Sequence, residues 1–115
     1  DRDHPLEMRN LVRVREVAEY PDGHTLSGQG LTGAEAYRLY GVSAAPIVSR
    51  VGASILWRGA FEATLIGPAG EAWDHVFIAR YPTAHAFLEM ISDPAYAEAV
   101  VHRQAAVDTS RLIRC

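Results

Sequence analysis

The sequence predicts an α+β fold, in which four antiparallel strands form one sheet and helices cover one face of it. Residues 54–81 hold two apolar stretches separated by Gly67-Pro68-Ala69-Gly70, a turn-forming segment typical of a β-hairpin. A helical pattern lies on each side of this hairpin, and a strand pattern lies near each end of the chain. The resulting order β-α-β-β-α-β, with right-handed crossovers, is that of a ferredoxin-like sandwich.

The first strand is predicted at residues 10–17. Val12 and Val14 alternate there with Arg13 and Arg15. Because successive strand residues point to opposite faces of a sheet, one face of this strand is apolar and the other is basic.

The chain is predicted to contain one folded domain. Its 115 residues suit a single domain with a modest core. The polar residues 1–9 are predicted to form an N-terminal arm, and residues 10–115 the domain. Residues 18–31 are rich in turn-forming types and longer than an ordinary connection. They are predicted to be either a functional or mobile loop or a surface insertion.

The first helix is predicted to begin at Thr32. Thr32 and Glu35 have the spacing of a capping box, in which each side chain satisfies a backbone N–H at the helix start. Pro46 is expected to kink the helix or to restart it, and Gly52 is expected to end it. The predicted stripe of this helix recurs at steps of three and four residues and comprises Ala34, Tyr37, Gly41, Ala44, Val48 and Val51.

The hairpin strands are apolar on both faces. In the return strand, Phe77 lies on one face, whereas Val76 and Ile78 lie on the other. In a sheet with one solvent-exposed face, apolar and polar residues alternate regularly along each strand. These strands do not show that alternation, so both faces of the sheet are expected to be covered. Helices can cover one face, and we expect a second copy of the protein to cover the other; a bulky loop is the alternative. Gly59 predicts a bulge that re-aims Arg58.

Two helices and a strand are predicted after the hairpin. Pro82-Thr83 begins the first of these helices. Asp93 caps the second, with Pro94 at its first position, where proline is well tolerated. Residues 111–114 are predicted to form the last strand.

The composition excludes several classes of function. The net charge is −3 and 49% of the residues are hydrophobic, which predicts a soluble globular protein and argues against a nucleic-acid partner. No apolar run is long enough to span a membrane. All basic residues are arginine, so Schiff-base chemistry by a side-chain lysine is excluded. The only cysteine, Cys115, cannot form an internal disulfide, which fits a reducing compartment, and we expect a cytoplasmic location.

No metal or other cofactor is predicted. The five histidines, at positions 4, 24, 75, 85 and 102, include no close pair at ligand spacing, although His75 and His102 could meet in the folded chain. Haem would need an axial histidine that faces a roomy pocket, and the sequence does not indicate one.

Several short motifs follow one another in a specific order between Asn10 and Cys115. They are Tyr37 and Tyr40 in the helix that ends at Val51-Gly52, Trp57-Arg58-Gly59, the strand with Trp73, SDPAY at 92–96, and HRQAA at 102–106 before SRLI. In these features the chain resembles the domain-of-unknown-function family 1330, in the dimeric α+β barrel superfamily. The loop 18–31 departs from shorter family members.

The resemblance implies a homodimer in which the sheets of the two subunits face each other. Relatives in the superfamily include cofactor-free monooxygenases, muconolactone-type isomerases and haem-degrading enzymes. The family itself has no agreed activity, so the resemblance implies the fold more firmly than the function.

The resemblance also implies a pocket between the helices and the sheet of each subunit. The candidate catalytic residues are Arg58, which could stabilise an enolate, His102, which could be a general base, and Tyr37, which could donate a hydrogen bond to an oxyanion. The candidate ligand-binding residues are Arg103, Trp73 and Trp57.

Four of these candidates, Tyr37, Trp73, His102 and Arg103, also have a purely structural alternative. Arg103 could form an ion pair with a carboxylate such as Glu62 or Glu89. His102 could be a surface histidine on a helix flank or at a dimer interface. Tyr37 and Trp73 could be aromatic residues of the core.

Two functions of different classes remain after these observations. The first is an enzyme without a bound cofactor, monooxygenase- or isomerase-like, that acts on an acidic or phenolic substrate. It requires an enclosed pocket in which Arg58, Tyr37 and either His102 or Arg103 converge. The second is a dimer that binds a small ligand or acts as a scaffold without turnover. It predicts a filled interior, with the arginines paired to carboxylates.

Overall fold

The computed structural model describes residues 4–59 and 73–114, with the exception of the Trp57 side chain. The predicted hairpin turn at 67–70 and the apolar stretch at 63–66 lie outside the described residues. Within the described ranges, the elements are β1 (Leu6–Val14), α1 (Gly33–Arg50), β2 (Ser54–Gly59), β3 (His75–Tyr81), α2 (Ala84–Ile91), α3 (Pro94–Ala106) and β4 (Val107–Arg114).

The four strands form one antiparallel sheet in the order β2-β3-β1-β4. The first strand therefore lies in the middle, between β3 and β4, which is the topology of a ferredoxin-like sandwich. The predicted fold is confirmed. None of the helices in the described residues has the length and apolar character needed to cross a membrane.

The strand β1 begins at Leu6, earlier than the predicted start at Asn10. Leu6 and Met8 face the helices and are buried, and they pair across the sheet with Tyr81 and Ala79. The prediction missed this stretch because its alternation is short and includes the polar Glu7 and Arg9, which face the other way. Likewise, β4 begins at Val107, directly after α3, rather than at residue 111.

The predicted start of α1 is confirmed. The Thr32 hydroxyl oxygen accepts the Glu35 N–H at 3.0 Å, and the Thr32 N–H donates to the Glu35 carboxylate at 3.0 Å. The hydrogen bond from the Thr32 N–H lowers the pKa of Glu35, because it favours the carboxylate, and the Thr32 side chain acts in the same direction. The helix does not restart at Pro46 but continues to Arg50, and Gly52 follows it with φ at +80°.

The caps of the later helices are also confirmed. The Thr83 hydroxyl oxygen accepts the Ala86 N–H at 3.1 Å, and the Asp93 carboxylate accepts the Ala95 N–H at 2.8 Å. Asp93 also pairs with Arg50, which fixes the end of α1 against the start of α3.

The bulge in β2 lies between Ile55 and Trp57 rather than at Gly59. After this irregularity Arg58 pairs with Phe77, so its side chain shares the helix-facing side of the sheet with that ring. A bulge therefore precedes Arg58 and sets the face on which its side chain lies, whereas the prediction placed the bulge after Arg58, at Gly59.

The core lies between the sheet and the helices and contains two clusters. One joins the C-terminal part of α1 to α2 and the start of β1; its buried members are Leu6, Met8, Ile47, Val51, Ala79, Tyr81, Ala86 and Met90. The other joins the N-terminal part of α1 to the end of α3; its buried members are Val12, Ala36, Tyr37 and Ala106. Phe77 packs against both clusters from the centre of the sheet.

Candidate functional site

A cavity of about 700 Å³ lies between α1 and the helix-facing side of the sheet. Its walls come from α1, β2 and β3, with single residues from β1, α2 and α3. Exposed residues on α1, such as Val42, and on the edge strand β2, such as Ile55, also line it, so the cavity opens between these two elements. A volume of this size is typical of small-molecule sites.

The polar groups of the cavity gather around Tyr37 and His75. The two rings are stacked, with centroids 4.8 Å apart and planes 20° from parallel. Tyr40 follows on the same helix, with its ring centroid 5.7 Å from that of Tyr37. The hydroxyl groups of Tyr40 and Tyr96 are 2.8 Å apart, which fixes the orientation of the Tyr40 ring.

Two arginines from different elements complete this polar group. The Arg58 guanidinium lies over the Phe77 ring, 5.3 Å from its centroid. Arg103, on α3, donates a hydrogen bond of 3.3 Å to the Ser110 hydroxyl on β4. In the part of the chain that the structure describes, no carboxylate lies within 4.0 Å of either guanidinium.

The protonation states follow from burial and from these arginines. Desolvation lowers the pKa of His75 below its ordinary value of 6.5, and Arg58 lowers it further, while Asp74 opposes the shift. His75 is therefore a neutral imidazole near pH 7. Burial raises the pKa of Tyr37, and the charges of Arg103 and Arg58 act in the opposite direction. Tyr37 is a neutral phenol that can donate a hydrogen bond.

A sequence profile described as a domain of unknown function, DUF1330, matches residues 24–113. The chain belongs to this family. The resemblance noted in the sequence is thereby confirmed. Among curated proteins, none matches the chain.

Solved structures share the fold of this chain. A protein of unknown function from Rhodopseudomonas palustris is 56% identical, with a TM-score of 0.91 over 100% of this chain and 83% of its own. A dimeric protein of unknown function with a ferredoxin-like fold, from Bacteroides fragilis, is 10% identical, with a TM-score of 0.55 over 100% of this chain and 98% of its own.

A third solved structure is an enzyme. SnoaB, a cofactor-independent oxygenase from Streptomyces nogalater, is 17% identical, with a TM-score of 0.56 over 97% of this chain and 91% of its own. At such low identity, the second and third comparisons show a shared fold alone. The DUF1330 chain therefore has a ferredoxin-like fold and a family without an assigned function.

The structure brings together three of the sequence-predicted site residues. Tyr37, Arg58 and Arg103 all line the cavity of this DUF1330 protein. The suggested ion pair between Arg103 and Glu89 is not formed, and Glu62 lies outside the described residues. The three residues thus share one cavity, which is open between α1 and β2 rather than enclosed as the enzyme hypothesis requires.

The other three candidates do not join this group. His102 faces the loop 18–31, where its Nδ1 lies 2.6 Å from the Tyr20 hydroxyl. Trp73 is buried at 7% exposure, and the Arg111 guanidinium lies over its ring at 5.6 Å; it does not line the cavity. The Trp57 side chain lies outside the described part. Roles for these three residues stay predictions.

Sequence reasoning missed His75 as the basic group of the cavity. The signal was present, because His75 shares the alternation of Phe77, Ala79 and Tyr81 and so lies on their face of the strand. His75 does not meet His102, whose ring instead lies 6.0 Å from that of His24. Within the described ranges, no group of three or more histidine, cysteine or acidic residues could hold a metal ion.

Proposed function

We propose that this DUF1330 protein is an enzyme that removes a proton from a small acidic or phenolic molecule without using a bound cofactor. The observation that carries this proposal is the position of the neutral His75 in a cavity of about 700 Å³. It is stacked on Tyr37, and the same cavity is lined by Arg58 and Arg103, which have no carboxylate partner among residues 4–59 and 73–114.

In the proposed step, His75 is the general base. Its imidazole takes a proton from the substrate, and the electron pair of the broken bond stays on the substrate as an enolate or phenolate. Arg58 and Arg103 stabilise this new negative charge, because a planar guanidinium forms charge-assisted hydrogen bonds with an oxyanion. Tyr37 donates a hydrogen bond to the same oxygen.

Two outcomes for the anion are consistent with this site. Return of the proton from His75 to a different atom of the substrate gives an isomer. Alternatively, O₂ from the solvent can add to the anion, as expected for an oxygenase that uses no cofactor. The shared fold of SnoaB, which is described as such an oxygenase, supports testing the second outcome.

We also propose a cytoplasmic homodimer formed through the outer face of the sheet, opposite the helices. That face has an apolar centre, because Leu11 pairs with Val76 and Ile78 lies one position along the same face. The Bacteroides fragilis protein, which shares this fold, is described as dimeric.

The test of the enzyme is turnover of small carboxylates and phenols by the wild type and by His75→Gln. Proton exchange at the substrate is followed by NMR in deuterated water, and O₂ uptake separates oxygen addition from isomerisation. We expect the substitution to lower kcat by at least about 100-fold, the usual contribution of a general base. His85→Gln, at an exposed position on α2, is the matched control and should leave kcat unchanged.

The pH dependence of kcat/KM, which reports on groups of the free enzyme, provides a second readout. Since the pKa of His75 is lowered by desolvation, the wild-type kcat/KM should be constant near neutral pH and should fall only as the pH drops through the depressed pKa. Full activity of His75→Gln would overturn the assignment of the base. Binding of the same compounds to the wild type without any turnover would favour the non-catalytic ligand-binding function instead.

A further inference from the structure

We propose that the natural ligand of the cavity is an elongated amphipathic acid, whose anionic head lies between Arg58 and Arg103 and whose apolar body runs along β3 toward Met90. This inference rests on the cavity of the proposed function and names the class of molecule that fits it. It depends on how charge and polarity are distributed along the cavity.

The charged lining of the cavity is entirely cationic in the described part of the chain. The charged residues there are Arg38, Arg58 and Arg103, and no aspartate or glutamate joins them. Uncompensated positive charge around a cavity attracts an anion and opposes the entry of a cation. Arginine is well suited to this role, since its planar guanidinium binds a carboxylate through two parallel hydrogen bonds.

Two of these arginines lie at one end of the cavity. Arg58 pairs with Phe77 near the start of β3. Arg103 reaches Ser110, which pairs with Val12. Val12 in turn pairs with His75, so that both guanidinium groups lie at the level of the first residues of β3. Both arginines line the same cavity as Tyr37, and their charges oppose the rise that burial causes in the pKa of Tyr37.

The opposite end of the cavity is apolar. It is formed by Ala79 and Tyr81 at the end of β3, with Ile55 on β2, Val48 on α1 and Met90 on α2. The Tyr81 ring packs edge-on against Phe87, and its burial raises the pKa of the hydroxyl to about 12. None of the charged lining residues Arg38, Arg58 and Arg103 lies at this end, so it suits an apolar group better than a charged one.

The two ends are far enough apart to require a long ligand. His75 and Tyr81 are six residues apart in one strand, which corresponds to roughly 20 Å. Tyr37 and Val48 line the same cavity from α1 and are eleven residues apart, which corresponds to about 16 Å of helix. A compact acid would occupy the arginine end and leave the apolar end unfilled.

The test is a series of straight-chain carboxylates, from butanoate to decanoate, with binding measured by calorimetry. Each buried methylene is expected to tighten binding by about fourfold, until the chain reaches the end of the cavity and Kd stops falling. Primary alcohols of the same lengths should bind more weakly, because they carry no charge for the arginines. A Kd independent of chain length, or no binding by any of these acids, would overturn the proposal.

Two variants separate the contributions of head and tail. Arg58→Gln should weaken the binding of every acid by one common factor, since it changes only the head site. Ala45→Leu adds bulk at an exposed lining position on α1 and should weaken the long acids while leaving butanoate unchanged. Ala97→Leu, on the exposed side of α3 away from the cavity, is the matched control and should change neither. Equal weakening of short and long acids by Ala45→Leu would contradict the proposed direction of the tail.

The series also distinguishes failure of this inference from failure of the proposed function. A Kd that falls with chain length, without turnover of any compound, would support the proposed class of ligand and contradict the catalytic role of His75. Turnover of compact phenols, together with a Kd that is independent of chain length, would support the catalytic role of His75 and contradict the proposal of an elongated ligand.

Discussion

At the scale of single residues, two glycines of α1 have opposite surroundings. Gly33 lies against the segment after β1, where its N–H donates to the Glu16 carbonyl at 3.4 Å. A Cβ added at Gly33 would collide with the backbone carbonyl of Arg15, which cannot move aside easily. Arg15 is itself held by a hydrogen bond of 2.7 Å from its N–H to the Ala106 carbonyl. Gly41, in contrast, lines the cavity, and a Cβ there would meet nothing within 4 Å.

These surroundings predict opposite effects of the same substitution. Gly33→Ala should lower the free energy of unfolding by about 1–3 kcal/mol, because the backbone must shift to admit the methyl group. Gly41→Ala should raise the free energy of unfolding by about 0.5–1 kcal/mol, since alanine favours a helix interior over glycine. Urea denaturation followed by circular dichroism measures both values. Equal effects of the two substitutions would contradict the collision at Gly33.

At the scale of secondary-structure elements, the loop 18–31 is fixed to α3 and does not cover the cavity. The Ala18 N–H donates to the Leu31 carbonyl at 2.8 Å, which closes the loop at its base. The Glu19 N–H donates to the Ala105 carbonyl at 2.9 Å. Beyond it, the Tyr20 hydroxyl meets His102, and the Tyr20 ring stacks on His24 with centroids 4.7 Å apart. None of residues 18–31 lines the cavity, which agrees with a surface insertion, one of the two predictions for this segment.

The hydrogen bond between Tyr20 and His102 should contribute measurably to the order of this loop. Tyr20→Phe should lower the free energy of unfolding by about 0.5–1.5 kcal/mol and should speed amide hydrogen exchange in residues 18–31. In a double-mutant cycle with His102→Gln, the two losses should be less than additive, because both substitutions remove the same bond. Ligand binding in the cavity should not change. Full additivity would mean that the two side chains act independently.

At the scale of the whole molecule, the sheet has a helix-covered face and an outer face with a partly apolar centre. Leu11 on β1 lies at this centre, between Val76 on β3 and Arg111 on β4. Ile113 shares the outer face and is 45% exposed. Burial of such side chains between two copies of the chain would stabilise a dimer through the hydrophobic effect.

The proposed dimer predicts a specific effect of one charge on this face. The wild type should have the mass of a dimer at micromolar concentration, as measured by light scattering with size-exclusion chromatography. Leu11→Glu should give a monomer, because two carboxylates would be brought into an apolar contact. The monomer should stay folded, since Arg111 on the adjacent strand can pair with the new carboxylate.

Leu88→Glu is the matched control, since Leu88 is 46% exposed on α2, away from the sheet face. It should leave the mass unchanged. A monomeric wild type would contradict the proposed dimer, and the apolar centre of the outer face would then not be covered by a second copy of the chain.

The local features of this protein were determined by the sequence alone. The capping box at Thr32 and the Asp93-Pro94 helix start involve residues only two or three positions apart, so their geometry follows from short-range hydrogen bonds. The order of the elements follows from the same kind of local pattern, and it limits the topology to a ferredoxin-like sandwich.

Only the tertiary structure decided which polar residues share the cavity. Arg103 and His102 are neighbours in α3, yet one reaches the cavity and the other meets Tyr20 on the loop, because adjacent helix residues point about 100° apart. Arg58 faces the cavity because strand pairing places the β2 irregularity before Trp57. Both outcomes depend on how distant segments pack together, and the sequence pattern of a single element does not specify the rotation of a helix or the register of an edge strand.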